Sequence, residues 1–191
     1  MTVAKNLSVL AACGSILVTS AVAFEEVISG LPAGAPTVSI PVLDVTGPYK
    51  GERICYVCEF QDFPNVLAFF RGTGEETAEL IVALNNLYVH NKNRDFKAVV
   101  MVAAGPEASA WLEELSASEG LEIPLTVFRK GPADLAGRLY ELNPEVDNTF
   151  LVTLDRFVVA NVAGIKPAEF TRVTEATEQM LADLADEIRV D

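Results

Sequence analysis

Histidine, tryptophan and cysteine are the scarce residues of this 191-residue chain, with one, one and three copies respectively. A structural zinc site draws four ligands from Cys, His and carboxylates. His90 has no second ligand cluster and no second Cys pair exists, so no metal is expected, and His90 reads as a helix-end residue. Covalent haem attachment requires His directly after a Cys-x-x-Cys pair, and Glu59 stands there. No cofactor is expected. Basic residues are also few, 14 against 27 acidic, for a formal net charge of −13. With no basic patch or basic amphipathic helix legible in the sequence, this balance argues against nucleic acid and anionic membrane surfaces as partners. Internal repeats and low-complexity segments are absent.

Long apolar runs are confined to the N-terminus. Lys5 is the only charge before Glu25, Val9 to Val22 is nearly all apolar or small, and Ala21-Val22-Ala23 is a small-x-small pattern. These features predict a cleaved secretory signal peptide over residues 1–23. An uncleaved anchor helix wants about 20 apolar residues, more than this run supplies. Leu10-Ala11-Ala12-Cys13 resembles a bacterial lipobox, which keeps a lipoprotein as a minor alternative. The protein is therefore expected to be exported, periplasmic or extracellular, with no membrane association after cleavage.

Removing Cys13 leaves Cys55 and Cys58 in an exported chain, and an oxidising compartment favours a disulfide between them. Residues 24–50 are rich in Pro and Gly and read as an extended N-terminal arm, with turn signals at Gly47-Pro48 and Lys50-Gly51. Pro41 assigns the extended segment Thr37 to Val45 to a sheet edge. Residues 51–191 read as one domain. Val66 to Phe70, bounded by Pro64-Asn65 and by Gly72 and Gly74, is a buried strand. Thr73 and Glu76 form a T-x-x-E capping box ahead of a helix whose stripe is Thr77, Leu80, Ile81, Leu84, Leu87 and Tyr88. Phe96 to Ala103 is a second buried strand, and Gly105-Pro106 opens a second helix carrying Trp111 and Leu112 toward the core. A third strand covers Ile123 to Phe128, and a short helix covers Asp134 to Leu142. Thr149 to Leu154 and Phe157 to Val162 form a hairpin about Asp155-Arg156, and a last helix starts near Pro167. Strand–helix–strand–helix order at this spacing predicts an α/β fold with parallel pairing.

The order of elements resembles the thioredoxin-like fold, and within it the redoxin branch that includes alkyl hydroperoxide reductase and thiol-specific antioxidant proteins. The residues that carry the resemblance are Val66 to Phe70, Ile123-Pro124-Leu125-Thr126, and the hairpin Thr149-Phe150-Leu151-Val152 to Phe157-Val158-Val159-Ala160. Gly47-Pro48-Tyr49-Lys50-Gly51 leading into Cys55-Tyr56-Val57-Cys58 is also similar to exported bacterial thioredoxin-like proteins with C-Y-x-C ahead of the first core strand. The resemblance implies a three-layer sandwich around a mixed sheet, thiol-disulfide oxidoreductase activity, and a protein or small-thiol redox partner. It also implies that Pro124 corresponds to the cis-proline that faces the dithiol in thioredoxins.

The departures from the family pattern are as informative. Thioredoxins and peroxiredoxins keep their reactive cysteine after the first core strand. Here that region reads Arg71-Gly72-Thr73-Gly74-Glu75-Glu76, so efficient peroxidase activity is not expected. Cys55 and Cys58 precede the strand, far in sequence from the helix that begins near Gly74. Glu52, Glu59 and Asp62 would raise a thiol pKa there and Arg53 would lower it. In an extended segment the pair would stand about 10 Å apart, beyond bridging range, so an oxidised pair requires a turn at Tyr56-Val57. Two readings follow. Cys55 and Cys58 are the catalytic pair, with Pro124 beside them, or they form a structural staple in an inactive thioredoxin-fold binding or scaffold domain.

Overall fold

The computed structural model describes residues 27–190, with side chains to residue 187. The expected leader and Cys13 lie outside the described residues. Seven strands form one mixed sheet in the order β2-β1-β5-β4-β3-β6-β7. The strands are β1 Val42–Asp44, β2 Arg53–Ile54, β3 Asn65–Phe70, β4 Lys97–Val102, β5 Leu125–Val127, β6 Asn148–Leu154 and β7 Phe157–Ala163. β3, β4 and β5 run parallel, while β6 pairs antiparallel with β3, and β1 with β5. Five helices flank the sheet: α1 Tyr56–Phe60, α2 Glu75–Asn91, α3 Ser109–Glu119, α4 Leu135–Leu139 and α5 Thr171–Val190.

The strand period of two sorts the core into two halves. From β3, Val66, Ala68 and Phe70 join Leu80, Ile81 and Leu84 of α2, Leu112 of α3, and Val173 and Leu181 of α5 on one face. Leu67 and Phe69 face the other way, against Tyr56, Val57 and Phe60 of α1, Ala136 of α4, Tyr140, and Leu31 and Ile40 of the arm. All six residues of β3 are buried, which is why it reads as an unbroken apolar run. Trp111 is partly buried against the first core half. The result is the expected α/β three-layer sandwich about a mixed sheet, with an extended N-terminal segment packed upon it.

Three local expectations change. Pro41 does not hold its strand at an edge; it ends just before β1, which sits between β2 and β5. The Thr73–Glu76 capping box does not form. Gly74 is the N-cap of α2 without a side-chain cap, and the Glu76 carboxylate accepts instead from Lys166 Nζ at 2.8 Å. The third change concerns the dithiol segment. It is helical from Tyr56, although Tyr and Val favour strands, because burial overrides propensity. Tyr56, Val57 and Phe60 fall on one face at i, i+1 and i+4 and are buried, while Cys58 and Glu59 point outward.

The hairpin turn at Asp155-Arg156 closes with φ of 50° and 65°, two consecutive left-handed residues as a type I′ turn requires. From Val27 to Thr37 the chain runs against β7 in the opposite direction. Gly34 N donates to Val158 O, Val158 N to Ala35 O, and Thr37 N to Arg156 O. Asn161 Nδ2 donates to the carbonyls of Ser29 and Leu31.

Candidate functional site

Cys55 and Cys58 are joined by a disulfide, with Cα atoms 5.2 Å apart. The turn that an oxidised pair requires is supplied by α1. Cys55 is the N-cap, its carbonyl accepting from Cys58 N at 2.9 Å and Glu59 N at 3.0 Å, so a single helical turn brings the sulfurs together. Cys55 is half-buried and Cys58 exposed.

Each sulfur has a hydrogen-bond donor. Cys58 N–H, shared with the Cys55 carbonyl, lies 3.2 Å from Cys55 Sγ, and an amide at a helix start stabilises negative charge on sulfur. Cys58 Sγ lies 3.3 Å from Ser39 Oγ. A disulfide sulfur carries no proton, so Ser39 is the donor, and its oxygen in turn accepts from Arg156 Nη2 at 3.3 Å. Of the nearby acids, Glu59 is engaged by the Tyr49 hydroxyl at 2.8 Å. Ser39 and Arg156 are distant in sequence from the dithiol, and no local pattern pointed to them.

Helix α1 is anchored from below by a buried polar cluster. Tyr56 Oη donates to Asp44 Oδ2 at 2.7 Å, and Asp44 also accepts from Gly47 N at 2.7 Å and Tyr49 N at 2.9 Å. Burial first, then this bond to Asp44, pushes the Tyr56 phenol well above its ordinary range. These contacts fasten the dithiol helix to the loop between β1 and β2.

The structure sets Pro124, just before β5, against Gly47 on the side that faces the Tyr56 hydroxyl. Register places Ile54 opposite Val42 and Thr126 opposite Asp44. No described peptide bond is cis. The antiparallel neighbour of β3 is β6, so the residue that lies beside the C-terminal end of β3 is Asp147, whose carbonyl accepts from Arg71 N at 2.9 Å.

At that C-terminal end, where α/β sheets bind ligands, residues 71–76 carry no thiol. Arg71 is paired with Asp147. Beside the pair lies an apolar cavity of about 310 Å³, lined by Phe69, Phe70, Phe128, Leu142 and Val146 among others. A second cavity, about 500 Å³, opens beside the dithiol and is lined by Ser39, Arg53, Arg129, Lys130, Asp134 and Arg138, among others. His90 is exposed in the last turn of α2. Among the described residues no cluster of His, Cys, Asp and Glu is arranged to hold a metal.

No family model matches the sequence, and no curated protein does. Solved structures do match. A candidate protein disulfide isomerase from Bacteroides thetaiotaomicron is 13% identical, with 81% of this chain and 94% of that one aligned at a TM-score of 0.64. A candidate thiol:disulfide interchange protein DsbE from Chlorobium tepidum is 15% identical over 79% of this chain and 99% of that one, also at 0.64. Peroxiredoxin Q from Xanthomonas campestris is 12% identical over 74% and 91%, at 0.59. At such identities the likeness establishes the fold, which is that of the thioredoxin-like redoxins.

Proposed function

We propose that the protein is an exported thiol-disulfide oxidoreductase whose redox centre is the Cys55–Cys58 pair on α1. The observation that carries this reading is the pair of donors, Cys58 N–H on one sulfur and Ser39 Oγ–H on the other, around a disulfide with its Cys58 end exposed. A staple needs no thiolate stabilisation, whereas exchange does, because both attack and departure occur through thiolates. A partner thiolate attacks Cys58 Sγ. The S–S bond breaks and its electron pair leaves on Cys55 Sγ, which Cys58 N–H stabilises. A second thiolate then attacks the partner's sulfur in the mixed disulfide and releases Cys58 as a thiolate, stabilised by Ser39. The partner's two thiols end oxidised to a disulfide and the pair ends reduced.

Export is part of the same proposal and rests on the leader pattern in residues 1–23. Among the described residues no helix is long and apolar enough to cross a membrane. A secreted product whose N-terminal sequence begins near Phe24 supports it; one that begins before Ala12 removes it.

The experiment for the redox reading is titration of the pair against dithiol redox buffers together with insulin reduction. A potential above about −300 mV with turnover supports it. A lower potential with no turnover favours the second reading, a scaffold that binds ligands through the thiol-free cavity beside Arg71–Asp147.

A further inference from the structure

The protein is strongly acidic, yet four of its cations converge on the cavity next to the dithiol. Arg53, Arg129, Lys130 and Arg138 line it, and Asp134 is the only acid that does. Asp134 is already occupied as the N-cap of α4, with Oδ1 accepting from Ala136 N and Oδ2 from Lys130 N. The five ion pairs formed by Lys and Arg among the described residues use Lys50, Arg71, Lys92, Arg94 and Lys166. Among the described residues none of the four cavity cations forms an ion pair with a carboxylate. Unpaired like charges gathered at one opening repel each other and are relieved by an anion.

The cavity borders the redox centre through Ser39. Ser39 lines it and touches Cys58 Sγ, and Arg53 lines it two residues before Cys55. Arg156, on the other side of Ser39, adds a fifth positive charge near the exposed sulfur.

We infer that the redox partner is a small thiol bearing two carboxylates, or its disulfide, bound by Arg53, Arg129, Lys130 and Arg138 with its sulfur at Cys58. This rests on the dithiol being redox-active and adds the class of substrate. A volume of about 500 Å³ suits a small molecule, and guanidinium groups pair with carboxylates in two-pronged geometry. The thiolate of this molecule attacks Cys58 Sγ, Cys55 leaves as the thiolate, and a second molecule attacks the substrate sulfur. The products are one substrate disulfide and the reduced pair.

The sign of the charge effect is diagnostic. A protein of net charge −13 would, by its overall field, speed a cationic thiol and slow an anionic one; the cavity does the reverse. The test measures reduction of the Cys55–Cys58 disulfide in full-length mature protein by mercaptosuccinate, 3-mercaptopropionate, 2-mercaptoethanol and cysteamine at low salt. Rates are corrected for thiolate fraction and basicity. Mercaptosuccinate is expected about tenfold faster than 2-mercaptoethanol, within the usual range for electrostatic steering, with cysteamine slowest. Arg129→Gln with Arg138→Gln, both exposed positions, lowers the mercaptosuccinate rate and abolishes its advantage over 2-mercaptoethanol. Arg172→Gln on α5, which packs on the opposite face of the sheet, changes neither. An order with cysteamine fastest, or an anion advantage untouched by the arginine pair, overturns the inference while leaving the redox reading standing. Failure of every thiol to reduce the disulfide overturns both.

Discussion

The Tyr56 hydroxyl donates to the buried Asp44 carboxylate at 2.7 Å, and through this bond the dithiol helix is fixed to the turn between β1 and β2. Hydrogen bonds to a charged acceptor contribute about 1.5–3 kcal/mol. Tyr56→Phe is expected to lower unfolding free energy by that amount, measured by urea denaturation at neutral pH, and to accelerate exchange at Cys58 by loosening α1.

The same bond sets a pH dependence. The Tyr56 phenol titrates higher in the folded chain than in the unfolded one, through burial and then the Asp44 bond. Its stabilisation is therefore complete below pH about 10, the unfolded value, and is lost as pH rises from there toward the folded value. Denaturation series from pH 8 to about 11 should show falling stability with a shallower slope in Tyr56→Phe. Tyr140, also raised by burial, keeps part of the slope in that variant.

Gly47 faces the same cluster. A Cβ there would run into the Tyr56 hydroxyl and would stand 2.7 Å from both Asp44 Oδ2 and Pro124 Cβ. Gly47→Ala is expected to cost about 1–3 kcal/mol, the usual penalty for overpacking. A thermal melt unchanged from the parent would show that the turn can move aside.

How far the sequence disclosed this molecule depended on where its signals were local. β3 and β4 were legible because burial on both faces leaves apolar runs, and the β6–β7 hairpin because two strand patterns flank two residues. The helix at Cys55 was not legible. Only five residues long, it offers one turn of periodicity, and Tyr56 and Val57 carry strand propensity. The thiol-free position after β3 was evident from residues 71–76. The basic cavity was hidden because Arg53, Arg129 and Arg138 meet only when β2, the end of β5 and α4 are brought together.

The disulfide closes a very short loop and constrains the unfolded chain little. Cys55→Ser with Cys58→Ser is expected to cost less than the ~3 kcal/mol associated with a 15-residue loop, with circular dichroism unchanged. A larger loss would mark the bond as a structural staple.

Peroxide gives a further check. Residues 71–76 supply no thiol at the start of α2, and the first turn there carries Glu75 and Glu76, which oppose a thiolate. Reduced protein mixed with hydrogen peroxide in stopped flow should lose thiol at a rate near that of free cysteine. A rate orders of magnitude faster, removed by Cys55→Ser, would place a peroxidatic centre on α1.

The segment from Val27 to Thr37 has a role that its irregular backbone conceals. By running against β7 it occupies carbonyl and amide groups along the outer rim of the sheet, while the opposite rim, β2, is two residues long. An uncovered rim is a template for strand addition by another copy. Loss of the chain up to Thr37 would thus leave Ser39, Cys55 and Cys58 in place and still turn the protein into a nucleus for fibrous self-association.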